Sequence, residues 1–173
     1  MLTLNVGEDT LIRWDEMAYS GNGTYVTGAT GNMTVYEQIA LDGSMTASDA
    51  TLTSATAAFV SGDVGRSIIV HGAGANGKAH RTTIASFTSA TSVELTAAAA
   101  VSVSNAVIDM SLDNAVGLSI AYVTTNGRYH GVVPSTVPLV DQAYYWIEIA
   151  AAEGSNDGFR RIACIAEYDA QSC

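Results

Sequence analysis

The sequence predicts an all-β chain: an antiparallel β-sandwich whose middle is interrupted by a small β-rich module. Three observations predict it. Thr, Val, Ile and Tyr recur in short alternating runs separated by Gly, Asn and Asp, the period-two pattern of half-buried strands. No long helical periodicity competes with them. The four alanines at 97–100 are flanked by Thr96 and by Val101-Ser102-Val103, and so short a run does not nucleate a helix. Finally, charge divides the chain into three pieces. Residues 47–107 balance Asp49, Asp63 and Glu94 against Arg66, Lys78 and Arg81, whereas 1–46 and 108–173 carry the whole net charge of −10.

The elements follow in order. Residues 2–6 (LTLNV) form a short alternating run, and 33–39 (MTVYEQI) a longer one. Residues 67–70 (SIIV) and 81–84 (RTTI) flank a glycine-rich stretch that reads as a hairpin tip. Next come 118–123 (LSIAYV) and 129–133 (YHGVV), with Asn126-Gly127 between them supplying the positive φ of a tight hairpin turn. The last two runs are 144–149 (YYWIEI) and 158–168 (GFRRIACIAEY). Both Trp and all eight Tyr lie outside 47–107, which is rich in Ala, Ser and Thr. The expected division is therefore a discontinuous domain, 1–46 plus 108–173, holding an inserted module, 47–107. Joined together, the flanks have about the 110 residues of an immunoglobulin-like sandwich.

Composition excludes several function classes. With 173 residues, 48% of them apolar and 14% charged, the chain has enough material for a buried core. Seven basic residues against 17 acidic ones argue against nucleic acid, since phosphate neutralisation needs clustered Lys and Arg and Lys78 is the single lysine. The opening MLTLNVGEDTLIRW shows no signal-peptide pattern, and the apolar run at 147–152 is broken by Glu148, so no membrane span is expected. Cys164 alternates with Ile162, Ala166 and Tyr168 and reads as a small buried apolar residue rather than half of a disulfide with Cys173. Two distant Cys and three scattered His do not make a metal-ligand cluster.

Several motifs invite a chemical reading and are better read structurally. Gly72, Gly77 and Lys78 fit the frame of a phosphate loop, and Gly72, Gly74 and Gly77 that of a dinucleotide fingerprint. Both need a helix to start at the last glycine, but strand formers follow, and Ala79 stands where the magnesium-binding hydroxyl belongs. Asp15 and Glu16, beside Trp14, would point to opposite faces of a strand and could not flank one glycosidic bond. Glu148 and Glu167 are expected to face solvent. Asn156-Asp157-Gly158 reads as a turn, too poor in oxygens for calcium. His71, His80 and His130 read as surface or hairpin residues, and neither Ser20 nor Ser155 has a nucleophile-elbow frame. No catalytic residue, cofactor or metal is expected. Of the adjacent Arg160 and Arg161 one is expected to meet a partner, and of Tyr144, Tyr145 and Trp146 at least one is expected to project as an interface anchor.

The middle segment resembles a module found in structural and tail proteins of tailed bacteriophages. The residues that carry the likeness are 49–59 (DATLTSATAAF), 63–70 (DVGRSIIV), the glycines Gly72 and Gly74, 82–84 (TTI) and 92–95 (SVEL). The flanks look like phage structural proteins with an immunoglobulin-like sandwich, through Arg13-Trp14, 23–30 (GTYVTGAT), 127–134 (GRYHGVVP) and 157–162 (DGFRRI). Neither resemblance brings a catalytic motif, and the chain lacks the long repeat of a β-helical, hydrolytic tailspike. The resemblance implies a non-enzymatic virion protein, made in the host cytoplasm, that assembles in many copies on the capsid exterior, neck or tail through contacts with itself and other virion proteins. The alternative is a receptor- or carbohydrate-binding module of a fibre or spike. The expected subunit contacts are Leu2, Leu4 and Val6, as an arm adding a strand to a neighbour, together with Tyr145 and Arg160.

Overall fold

The computed structural model of the chain describes residues 1–14, 30–123, 128–153 and 156–168. Its strands are β1 (Leu2–Asn5), β2 (Thr10–Trp14), β3 (Thr30–Met45), β4 (Thr51–Thr53), β5 (Ser67–Val70) and β6 (His80–Ser89). After these come β7 (Ser92–Leu95), β8 (Val103–Ser111), β9 (Leu118–Val123), β10 (Arg128–Val133), β11 (Tyr144–Glu153) and β12 (Asn156–Glu167). Strand takes 57% of the chain and helix 4%, so the class is all-β. Among the described residues no helix is long and apolar enough to cross a membrane.

The chain forms two compact units, a flanking unit of 1–36 with 112–173 and an inserted unit of 37–111. The border cuts β3, whose 16 residues serve both units. The composition breaks at 47 and 107 therefore lie inside the inserted unit. β3 itself runs unbroken across residues 36 and 37, so neither charge nor texture marks that border.

In the flanking unit the strand order is β1-β12-β11-β3-β9-β10-β2, antiparallel throughout except that β1 runs parallel to β12. Leu4 from one end of that order and Ile12 from the other share one buried cluster with Val35, Ile147 and Cys164. The strands thus wrap around a common core, each giving it alternate residues. Gly31, Ile120 and Gly131 stand in one cross-strand row. A Cβ at Gly131 would lie 2.6 Å from Ile120 Cγ2, so the isoleucine fills the space that the glycine leaves. Hairpin residues 125–127 lie outside the described residues, although β9 and β10 on either side of them do pair.

The inserted unit is a closed, six-stranded antiparallel barrel. The second half of β3 pairs with β4, β4 with β7, β7 with β6, β6 with β5 and β5 with β8, and β8 returns to β3. Closure removes the free edges that so short a sheet would otherwise expose. Leu52, Ile68, Val70, Ile84, Val93 and Ile108 fill the interior, and Phe59 joins them from a loop just after a kink at Ala58 (φ 53°). At Gly43 a Cβ would meet the Ala106 carbonyl at 3.0 Å, so the glycine lets β8 approach. The alanines at 97–100 are irregular; the Ala99 and Ala100 amides donate to the carbonyls of Asp49 and Ala73.

Candidate functional site

The Asp63-Val64-Gly65-Arg66 motif is a buried clamp. Asp63 accepts from the Val60 amide at 2.8 Å and from Arg66 Nη1 at 2.7 Å. Gly65, at φ 90°, makes the turn between them. Arg66 Nε donates to the Ser111 carbonyl at 2.6 Å, Nη2 donates to the same oxygen, and Glu37 Oε1 lies 3.6 Å from Nη2. One guanidinium therefore ties the start of β5 to the end of β8, which explains the motif without a ligand. The Asp-x-x-Arg spacing was visible in the sequence, but the Ser111 partner, 45 residues away, was not.

The glycine-rich stretch joins β5 to β6, and a strand, not a helix, follows Lys78. The loop closes on itself: the Gly74 amide donates to the Lys78 carbonyl at 2.8 Å and the Lys78 amide to the Ala75 carbonyl at 3.2 Å. Its neighbour His71 donates from Nε2 to Asp109 Oδ2 at 2.8 Å, and Asp109 is buried on β8. His80 is buried rather than superficial, because its Nε2 reaches inward to the Ala97 carbonyl at 2.9 Å. His130 is half-buried on β10. Among the described residues no group of three His, Cys, Asp or Glu is placed to hold a metal ion.

A shallow hollow on the barrel is lined by Asp42, Thr53, Ser54, Ala55, Thr91 and Ser92. Asp42 accepts from the Ser54 hydroxyl, from Thr56 Oγ1 at 2.8 Å and from the Ala55 amide at 2.9 Å. The Ser54 and Thr56 hydroxyls hold its carboxyl below the ordinary range. These bonds tie the 54–57 turn to β3 and leave Asp42 an acceptor already in use. Asp15, Glu16, Ser20, Ser155 and Cys173 lie outside the described residues. Asp157 and Gly158 fall in β12 rather than in a turn.

The expected contact residues are redistributed by strand parity. Tyr145, expected as an outward anchor, is 2% exposed, and its hydroxyl accepts from the Val140 amide at 2.9 Å. The side chains on either side point the other way: Tyr144 is 68% exposed and Trp146 36%. Arg161 lies over the Trp146 ring, 4.5 Å from its centroid. Glu148, expected to face solvent, is buried; it stands opposite Arg161 in the ladder. Arg160 sits opposite Ile149, and its side chain lies outside the described residues. The expected arm is used within its own chain. Leu2, Thr3, Leu4 and Asn5 pair with 164–167, Leu4 is fully buried, and Leu2 and Val6 pack against the same core. An arm that is already paired and buried is not a free donor strand. Cys164 is a buried thiol in that core, and burial pushes its pKa up to about 11.

Sequence reasoning missed one surface. Val60, Val64 and Phe87 are exposed on the barrel, although Phe59 beside them is buried. Comparison with protein families, curated proteins and solved structures gives no match.

Proposed function

We propose that this chain is a non-enzymatic structural protein of a tailed-phage virion, assembling in multiple copies on the capsid exterior, neck or tail. The observation that carries the reading is where the residues of the resemblance fall. Phe59, Ile68, Val70, Ile84, Val93 and Leu95 fill the interior of the barrel, and Asp63, Gly65 and Arg66 form its clamp. The likeness thus rests on the residues that determine a self-contained β-module rather than on scattered turn glycines.

The flanking unit we read as an immunoglobulin-like sandwich. Its strands divide into β1-β12-β11-β3 and β2-β10-β9, joined by the short β3–β9 pairing. Tyr145 at the start of β11, bonded back to the Val140 amide, has the form of the tyrosine corner of such sandwiches. In this reading the barrel is carried on the connection between β3 and β9, and the partners are other copies of the chain and other virion proteins.

Mass spectrometry of purified particles tests the proposal. The protein is expected in virions, with tens to hundreds of copies for a capsid position and six or twelve for the neck or tail. Its absence from particles would overturn the reading. The exposed Tyr144 favours a second reading, a glycan-binding module, because a free aromatic face stacks on sugar rings. Retention of the protein on a glycan array, lost in Tyr144→Ala, would select that reading instead.

A further inference from the structure

We propose that Asn76, at the tip of the loop joining β5 to β6, is a modification site: it converts to aspartate and isoaspartate by cyclising onto Gly77, at a rate gated by opening of the loop tip. The sequence holds three Asn-Gly pairs, at 22–23, 76–77 and 126–127, and the second lies within the described residues. Glycine after asparagine leaves the attacking backbone nitrogen unscreened by any Cβ. Asn76 and Gly77 are both exposed and both left-handed, at φ 57° and 72°. Asparagine is one of the few residues besides glycine that adopt this conformation readily. The turn that calls for asparagine and glycine therefore also sets the reactive pair in water.

The reaction needs only water. The Gly77 nitrogen attacks Asn76 Cγ, so that the N–Cγ bond forms, the Cγ–Nδ2 bond breaks, and Nδ2 leaves as ammonia with the proton given up by Gly77. Water then opens the cyclic imide at either carbonyl. Opening at Cγ gives aspartate, and opening at the main-chain carbon gives isoaspartate, whose backbone runs through Cβ and Cγ. The closed tip blocks the first step. Ring closure needs the Gly77 nitrogen on the same side of the Cα–C bond as Cβ, and at ψ 30° Asn76 holds it on the opposite side. The Gly77 amide also donates to the Gly74 carbonyl at 3.1 Å, and the Lys78 amide to the Ala75 carbonyl at 3.2 Å. Both bonds must break for ψ to turn. The base of the loop stays in place, because Ala73 is buried and its carbonyl accepts from the Ala100 and Val101 amides. Opening is thus local to the tip, and two ordinary hydrogen bonds make the open form about ten- to a hundredfold rarer than the closed one.

The test follows Asn76 by mass spectrometry in the full chain, held at mildly alkaline pH either native or unfolded in guanidinium chloride. Tryptic cleavage after Arg66 and Lys78 isolates it in a peptide, 67–78, that has no other side-chain amide. Conversion is expected to be slower in the native protein than in the unfolded chain by about tenfold or more. Gly74→Ala would set a Cβ 2.7 Å from the Ala79 carbonyl oxygen and 2.9 Å from that of Lys78, prising the tip apart. It is expected to speed native conversion about fivefold, the strength of one hydrogen bond, and to leave the unfolded rate unchanged. Far-UV circular dichroism establishes that the variant is folded. Hydrogen exchange of the Gly77 amide needs no variant, and the native protein should protect it relative to the unfolded chain. Equal rates in native and unfolded chains, an unprotected Gly77 amide, or a folded Gly74→Ala protein that converts no faster would overturn the gate. An Asn76 that stays intact in the unfolded chain would overturn the site itself.

Discussion

Replacing Asp63 by alanine should unfold the barrel preferentially, because it breaks a buried charge pair from one side. The carboxylate is 4% exposed and accepts two hydrogen bonds, from the Val60 amide and from Arg66. Removing one member of a buried pair costs about 3–5 kcal/mol, since the remaining charge stays desolvated. Here the lower end applies: Arg66 keeps the Ser111 carbonyl, and half-exposed Glu37 lies at 3.6 Å. About 3 kcal/mol, at a urea slope of about 1 kcal/mol per M for so small a unit, lowers the midpoint by about 3 M. Asp63→Asn, which keeps an acceptor for Val60 and loses the charge, should cost about half as much. Urea unfolding followed by two probes makes the measurement specific. Every Trp and Tyr lies outside 37–111, so tryptophan fluorescence reports the flanking unit alone, whereas far-UV circular dichroism reports both. Combined with Arg66→Ala in a double-mutant cycle, Asp63→Ala should show a coupling of about 2 kcal/mol. A loss below about 1 kcal/mol, the level of an exposed ion pair, or strictly additive single variants would refute the clamp.

Three further outcomes are expected. Gly131→Ala should destabilise the flanking unit by about 1–3 kcal/mol in the fluorescence transition, because its Cβ would collide with Ile120 Cγ2 at 2.6 Å and with Met33 Cε at 3.0 Å; a neutral result would show that Ile120 can swing away. Tyr145→Phe should cost about 1–2 kcal/mol by stripping the Val140 amide of its acceptor, and no measurable loss would mean that water replaces the hydroxyl. The Cys164 thiol titrates near 9.0 when unfolded and about 11 when folded, so its contribution to stability is complete below pH 9 and is lost as pH rises through 11. Relative to Cys164→Ala, the native protein should therefore lose about 2–3 kcal/mol over that interval, and parallel pH profiles for the two would contradict the burial argument.

Much of the fold was legible because a strand's period is local. The runs at 118–123, 129–133 and 144–149 became β9, β10 and β11, and Ile162 and Ala166 marked the core side of Cys164, whereas Tyr168, read on the same face, lies just past the end of β12 and is exposed. The glycine-rich stretch was legible for a similar reason, since the residues after Lys78 could only continue as strand. Phase and partner were harder. In Tyr144-Tyr145-Trp146 every residue is aromatic, so hydropathy does not say which of the alternating side chains faces the core; the ladder with β3 and β12 decides it. Leu2, Leu4 and Val6 announced a buried face but not whose sheet would bury it. Glu148 misled because a charge on a strand reads as exposed unless its cross-strand neighbours are known. The barrel was the least legible feature, since closure depends on the pairing of β8 with β3 across some 60 residues of intervening chain, a choice made by loop-closure entropy and packing rather than by local pattern.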